Sequence, residues 1–532
     1  MNLHPGKIMN RETTRNSAKS NSQMKPCSPA VPAFQISRFS RDFAVKILSA
    51  SLLAATPLQA VKFDDCYKVE DIKLPAGVPP EVGAIDFAED GTLFIVLRRG
   101  DVLRAKPTAD PAAFDWQLFA TGFDNGCGLD VVSPTKIRVT QMAEMTEAED
   151  TDGDGKADTF TRFAHGWGLS GNYHETNALT RDGKGGYFIA VGTASFSGPT
   201  FKHTLGTFSD AGRRGRNYSA VKWKGWVLHS DAQGKVTPWA SGFRMANGIY
   251  QDPQGELWAG DNQGDWKATT PLYHVEKGKF YGHPNSLVWD PAFTKSKDPL
   301  AYYRADLDAY NKDRTWAAVE MPHMEINRSA GEPMEIPAGS HFAGQMILPD
   351  NNGERVTRLM LEKVGDTWQG ACTHLIDGRG LRSGNHRARF TADGKQLYLG
   401  QTVRGWGIPA EGLQRVTFLG PVPFDIDRIT ITPDGFKVSF TQEIPAQLKD
   451  AKVWDISSFT YQSKWTYGSD PEDKKEHQAT IAASDAKSVT LKFDGLAKHR
   501  VYRIAIRKHD SPDGSPLQNN LAFYTVNAVP EK

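Results

Sequence analysis

Short runs in which apolar and polar positions alternate recur along the chain, and each pair of runs is broken by an Asp/Gly turn. The clearest are "IDFAEDGTLFIVLRRGDVLRA" (85–105), "ALTRDGKGGYFIAVG" (178–192), "GIYQDPQGELWAGD" (248–261) and "ARFTADGKQLYLGQ" (388–401). Alternation with period two puts successive side chains on opposite faces, which predicts strands, and an Asp-Gly turn between two of them predicts a hairpin. "VLHSDAQGKVTPWASGF" (227–243) and "TRLMLEKVGDTWQGACTHL" (357–375) read as outer hairpins of the same repeat. Hairpin pairs repeated with insertions are the blades of a β-propeller; roughly 350 residues at about 45–60 per blade predict six of them. The propeller is expected over 61–420, with 194–222 and 286–340 as long insertions on its rim. Past "TFLGPVPFDID" (417–427) this grammar stops, and period-two runs such as "ITITPDGFKVSF" and "SVTLKFDG" predict an immunoglobulin-like β-sandwich over 424–529. The expected fold is therefore all-β: a six-bladed β-propeller followed by a C-terminal immunoglobulin-like β-sandwich. Nothing in the sandwich segment converges chemically, so it is assigned a packing or spacer role.

Charge narrows the function classes. With 63 Lys+Arg against 62 Asp+Glu in 532 residues, the chain has no net field to draw in nucleic acid or an anionic membrane. Residues 1–42 are polar and basic, and the apolar run Ile47–Ala55 follows Lys46. That run is too short to span a bilayer but suits a signal-peptide core, with cleavage after Ala60; a disordered cytosolic tail is the alternative. Residues 1–60 are thus read as signal peptide and disordered N-terminus, which predicts a periplasmic or secreted protein with no transmembrane anchor. Cys66 and Cys127 flank the first repeat and could pair after export, or they could stay free thiols together with Cys372. No CxxCH motif is present, so no covalent c-type haem is encoded and electrons would pass to an external acceptor.

Three segments carry candidate chemistry. In "DTDGDGKAD", Asp150, Asp152 and Asp154 fall at positions 1, 3 and 5 of a calcium loop. Lys156 offers a carbonyl at 7 and Asp158 sits at 9, while Thr161 replaces the bidentate Glu at 12. The loop binds Ca²⁺ to rigidify a hairpin, or it is a solvated acidic turn. In "GNYHETNALTRDGKGGYFIAVG", His174 precedes an inner strand, so it is expected at the channel mouth, where an imidazole can act as general base; a structural histidine is the alternative. In "GFRMANGIYQDPQGELWAGDNQGDW", Arg244 and Asn247 precede another inner strand and an oxygen-rich turn follows it. Together these suit an anionic, carbonyl-bearing cofactor and a metal, or else a salt-bridged loop held by Trp266.

The succession of these two motifs with "GKFYGHPN" resembles the soluble PQQ-dependent glucose/sorbosone dehydrogenase family. "VTQMAEMTEAEDTDGDGKAD", "GWGLSGNYHE" and "PHMEINRSAGEP" are similar to a dehydrogenase-like branch of that family in secreted planctomycete and verrucomicrobial proteins. The resemblance covers about residues 65–418. It implies PQQ and Ca²⁺ on one face, with His174 taking a proton from a sugar hydroxyl and Arg244 stabilising the reduced quinone oxygen. It also implies calcium ligands at Gln263 and at the Gly264 carbonyl, with Asp265 nearby. Met245 stands where the family has Asn, so Asn247 would have to substitute. No counterpart of the lysine that grips a PQQ carboxylate is found, and Arg387, Arg389 and Arg404 are the candidates for that charge. The implied activity is oxidation of a sugar, sugar aldehyde or polyol. The rivals are a calcium-dependent lactonase-type propeller hydrolase and a non-catalytic carbohydrate-binding propeller.

Overall fold

The computed structural model describes residues 60–170, 177–195, 205–403, 410–507 and 509–531. His174, Arg404 and the expected signal peptide fall outside them. Among the described residues, strand dominates, in antiparallel four-stranded meanders that follow one another along the chain. Their inner strands are Val82–Phe87, Gly128–Ser133, Asn177–Arg181, Gly248–Gln251, Met334–Glu335 and Asn385–Phe390. These begin the first to sixth sheets respectively. Val82–Phe87 packs beside both Gly128–Ser133 and Asn385–Phe390, and Asn177–Arg181 beside Gly128–Ser133 and Gly248–Gln251, so the sheets form a ring around a central channel. This is β-propeller architecture. The sixth sheet is closed by a strand from the other end of the chain: Tyr67–Asp71 pairs with Gly412–Phe418 in the register Tyr67↔Phe418.

The continuous apolar run "LFIVL" shows why such sheets stack. All five residues of Leu93–Leu97 are buried. Phe94 and Val96 point into a core shared with Leu129 and Ile137 of the second sheet, while Leu93, Ile95 and Leu97 join Tyr398 and Leu413 of the sixth. A blade buried on both faces has no solvent side to encode, so strict apolar–polar alternation disappears from its central strands.

One feature departs from the expected plan. The fifth sheet does not end at Thr367–Asp377; that strand pairs onward with Leu521–Val526, giving one eight-stranded sheet that runs into the C-terminal region. A separate four-stranded sheet, ordered Ile426–Thr432, Gly435–Phe440, Ser488–Lys492, Thr480–Ser484, contributes Ile429 and Val438 to a core shared with Ile456 and Ile504 of the long sheet. Met360 and Ala371 of the fifth sheet belong to that same core. The 286–340 insertion holds two helices, Pro299–Ala305 and Leu307–Asp313, whose first turns are capped by the Asp298 and Asp306 carboxylates. Cys66, Cys127 and Cys372 are buried free thiols, so the Cys66–Cys127 pairing is not formed. Among the described residues no helix is long and apolar enough to cross a membrane.

Candidate functional site

Arg244 lies just before the inner strand Gly248–Gln251, at the mouth where the inner strands begin, and is 7% exposed. Its backbone is braced by a buried carboxylate: Asp261 accepts from Arg244 N at 2.9 Å, Met245 N at 2.7 Å and Asn262 N at 2.8 Å. The Arg244 Nε donates to Asp265 Oδ1 at 3.0 Å, while Asp265 Oδ2 accepts from Asn217 N at 3.2 Å and lies 3.3 Å from His283 Nε2. Burial opposes ionisation of Asp265, but the His283 hydrogen bond and the Arg244 charge overcome it and hold this carboxyl well below the usual range. A buried Arg–Asp–His cluster results, with the charge of Arg244 compensated on one edge. Only glycine fits at 264, since a Cβ there would fall 2.0 Å from Arg244 Nε. Lys267, fully enclosed, pairs with Asp261 at 3.2 Å and donates to the Gly242 carbonyl and the Tyr273 hydroxyl, each at 3.0 Å.

The turn 263–268 is covered by a strap from the C-terminal region. Trp266 N donates to the Lys464 carbonyl at 2.7 Å, Gly468 N to the Gly264 carbonyl at 3.0 Å, and Ser469 N to the Ala268 carbonyl at 3.1 Å. Tyr467 stands over the site, with the Arg244 guanidinium 5.4 Å and the Arg216 guanidinium 4.7 Å from its ring centre. The segment assigned a spacer role thus reaches the candidate site, and strap and turn together wall a cleft of about 560 Å³.

This arrangement bears directly on the expected calcium ligands. The Gly264 carbonyl accepts from both Lys267 N at 3.1 Å and Gly468 N at 3.0 Å, so both its lone pairs are spent. Both Asp265 oxygens are engaged as described, and Gln263 Nε2 is tied to the Ala268 carbonyl at 3.0 Å. The Gly264 carbonyl is therefore filled, and Gln263 and Asp265 by themselves offer too few oxygens to complete the six to eight that Ca²⁺ takes.

The expected cofactor-gripping residues also part company. Asn247 donates from its side chain to the Ala330 carbonyl at 2.8 Å, and its own carbonyl accepts from Arg387 Nη1 at 2.7 Å. Arg387 further donates to the carbonyls of Cys127 (Nε, 2.9 Å) and His386 (Nη1, 3.1 Å). Its buried guanidinium thereby spans the channel just inside this mouth, tying the second, fourth and sixth sheets, and is committed to backbone. Arg389, two residues on, pairs with Glu332 at 2.8 Å and Asp86 at 3.4 Å and faces a cavity of about 1000 Å³ at the opposite mouth.

In the acidic loop, carboxylate oxygens of Asp150, Asp152 and Asp158 lie within 4.8 Å of one another. Asp150 accepts from Gly153 N at 2.7 Å and Gly155 N at 2.9 Å, and Asp158 from Thr151 N at 3.0 Å. Asp154 stands outside that trio, with Oδ1 taking Lys156 N at 2.8 Å. The loop joins Glu144–Glu149 to Thr159–His165, the two outer strands of the second sheet, away from the channel. Asp150, Asp152 and Asp158 thus bring three hard oxygens together on one turn, the donor type that Ca²⁺ takes. His283, Asp261, Lys267 and Tyr467 were not singled out by sequence; "YGHPN" and "DNQGDWK" contain three of them, while nothing local marks Tyr467.

Fold and site together define a β-propeller carrying a buried Arg–Asp–His cluster at one channel mouth, capped by its own C-terminal region. No protein-family profile matches the chain, and no curated protein matches it. Among solved structures the chain is similar to the holo pyranose dehydrogenase PQQ domain of Coprinopsis cinerea (14% identity, 66% of this chain and 95% of that one, TM-score 0.47). It is similar also to the PQQ-bound aldose sugar dehydrogenase of Streptomyces coelicolor (15% identity, 66% and 98%, TM-score 0.42). A Trichoderma reesei carbohydrate-active enzyme of family AA12 covers 68% of this chain and 98% of its own at 11% identity, with a TM-score of 0.47.

Proposed function

We propose that the chain is an exported oxidoreductase of the quinoprotein type acting on a sugar or related polyol, built as a six-bladed propeller (61–420) with an immunoglobulin-like sandwich (424–529). The observation that carries this reading is Arg244. It is buried and fixed by Asp265 through Nε alone, and among the described residues no partner takes its terminal nitrogens. A pre-oriented guanidinium at a channel mouth is suited to hold an oxygen that gains negative charge during reaction. PQQ, when bound, would supply a two-electron acceptor for hydride. His174, by its position ahead of the third inner strand, is assigned to take the hydroxyl proton of the substrate. Arg387 is not assigned to grip the cofactor, since its guanidinium is taken up by backbone carbonyls, and no step is routed through calcium at Gln263 and Gly264. Calcium is assigned to Asp150, Asp152 and Asp158 as a structural ion.

The test is reconstitution with PQQ, followed by quinone absorbance and by dye reduction with a panel of aldoses and lactones. Saturable PQQ binding that is lost in Arg244→Ala and partly kept in Arg244→Lys supports the reading. Lactone cleavage without PQQ would replace it with the hydrolase.

A further inference from the structure

We infer that the cleft between the strap and the propeller rim is a binding site for a neutral oligosaccharide, so that the C-terminal sandwich selects the length of the substrate. The inference rests on the oxidoreductase reading only for what happens at Arg244; the binding itself does not depend on it. The cleft is walled on the propeller side by Gln263, His323 and Glu325, and on the sandwich side by Lys464, Tyr467 and Asp470. Its volume of about 560 Å³ lies within the range of small-molecule sites and exceeds what one hexose ring needs.

Three properties choose the ligand class. Glu325, Asp470 and Glu472 outnumber Lys464 in the walls, which repels a uronate or a phosphate from the cleft. The same walls supply carboxylate, amide, imidazole and hydroxyl groups in a cluster, the donor and acceptor mix that vicinal hydroxyls satisfy, and they leave an apolar ligand poorly matched. Tyr467 and Met324, both lining the cleft, are 54% and 56% exposed and give it two apolar faces on which a sugar ring can pack. His323 adds a buried Nδ1 with no hydrogen-bond partner, and burial followed by the Arg328 charge pushes its imidazole down toward the neutral form. A neutral imidazole beside hydroxyls is a donor–acceptor and not a competing cation.

The geometry also supplies direction. Gln263 in the cleft wall adjoins Gly264, whose Cα packs on the Arg244 guanidinium, and Tyr467 touches both cleft and Arg244. A chain lying in the cleft therefore ends beside Tyr467, the ring that covers the buried arginine. Because the strap is pinned by three backbone hydrogen bonds, this wall is preformed and little ordering cost is left to the ligand.

The experiment uses the mature full-length protein without added cofactor. Calorimetric titration with glucose, then with the malto- and cello-oligosaccharides of two to four units, should show affinity rising about tenfold between one and three units for one of the two series. Oligogalacturonate should not bind. Tyr467→Ala and His323→Ala should flatten the length dependence, with an unchanged far-ultraviolet spectrum showing that the strap survives. Hydrogen exchange should slow at 322–325 and 461–472 together when the trisaccharide is bound. Equal affinity for all lengths, or protection confined to other segments, would overturn the assignment. If length-dependent binding is found but PQQ-dependent dye reduction is not, the cleft stands and the oxidoreductase reading falls. Dye reduction indifferent to chain length does the opposite: the oxidoreductase stands and the length-selecting cleft falls.

Discussion

Replacing Arg387 by Met tests the claim that this residue is scaffold and not cofactor grip. The guanidinium reaches the Cys127 and Asn247 carbonyls across the channel at 2.9 and 2.7 Å, in addition to that of its neighbour His386. Burial pulls its pKa down from the ordinary value, which states that the charge is costly where it sits. Swapping a whole buried ion pair for apolar groups is often harmless, because both partners leave together. Here the partners are peptide carbonyls that cannot leave. A hydrogen bond from a charged donor is worth about 1.5–3 kcal/mol, so losing two gives about 3–6, offset in part by the relieved charge; a net loss of about 3 kcal/mol is expected. Urea unfolding followed by tryptophan fluorescence, at unchanged slope, reads this directly. A loss below about 1 kcal/mol, or a variant that keeps its stability and selectively loses PQQ binding, refutes the reasoning.

Arg358→Leu strands the buried Asp425, with which it pairs at 2.9 Å where both side chains are fully enclosed; a loss of about 3–5 kcal/mol is expected by calorimetry. A chelator should lower the melting temperature of the wild type but not of Asp150→Asn/Asp158→Asn, with dye reduction at matched folded fraction unchanged. For Lys267, burial brings the ammonium down to about 8 from 10.5, so the folded form binds fewer protons than the unfolded form between those values. Stability should consequently rise with pH from about 8 to 10.5, and Lys267→Met should remove that rise. Gly264→Ala, which drives a methyl into the Arg244 guanidinium, should abolish PQQ binding while the far-ultraviolet spectrum is retained.

The hairpins were legible in the sequence because the information is local. "AEDGTLFIVLRRGDVLRA" encodes turn, buried strand and partner within about twenty residues, and the sheet forms there. The ring closure by Tyr67–Asp71 and the extension of the fifth sheet by Leu521–Val526 were not legible, since pairing partners hundreds of residues apart leave no mark in periodicity. The site shows the same division. "GFRMANG" placed Arg244 at the channel mouth. The commitment of Arg387 to three carbonyls and of Gly264 to the strap depends on where distant backbone arrives, and an arginine near the start of an inner strand reads identically whether it will meet a cofactor or a peptide group. Tyr467 sits in "SKWTYGSD", whose polar and aromatic composition reads as an ordinary turn.

Gln369 and Tyr524, hydrogen-bonded at the seam of the eight-stranded sheet, lie 155 residues apart in the chain. During synthesis the ring can therefore be complete in every strand while the edge of Thr367–Asp377 still waits for its partner. An open edge beside the apolar surface of Met360 and Ala371 is a template for pairing with a neighbouring nascent chain. Ribosome-bound chains stalled between the sixth sheet and the last strand should thus be the ones that recruit holdase chaperones, and release should coincide with emergence of Leu521–Val526.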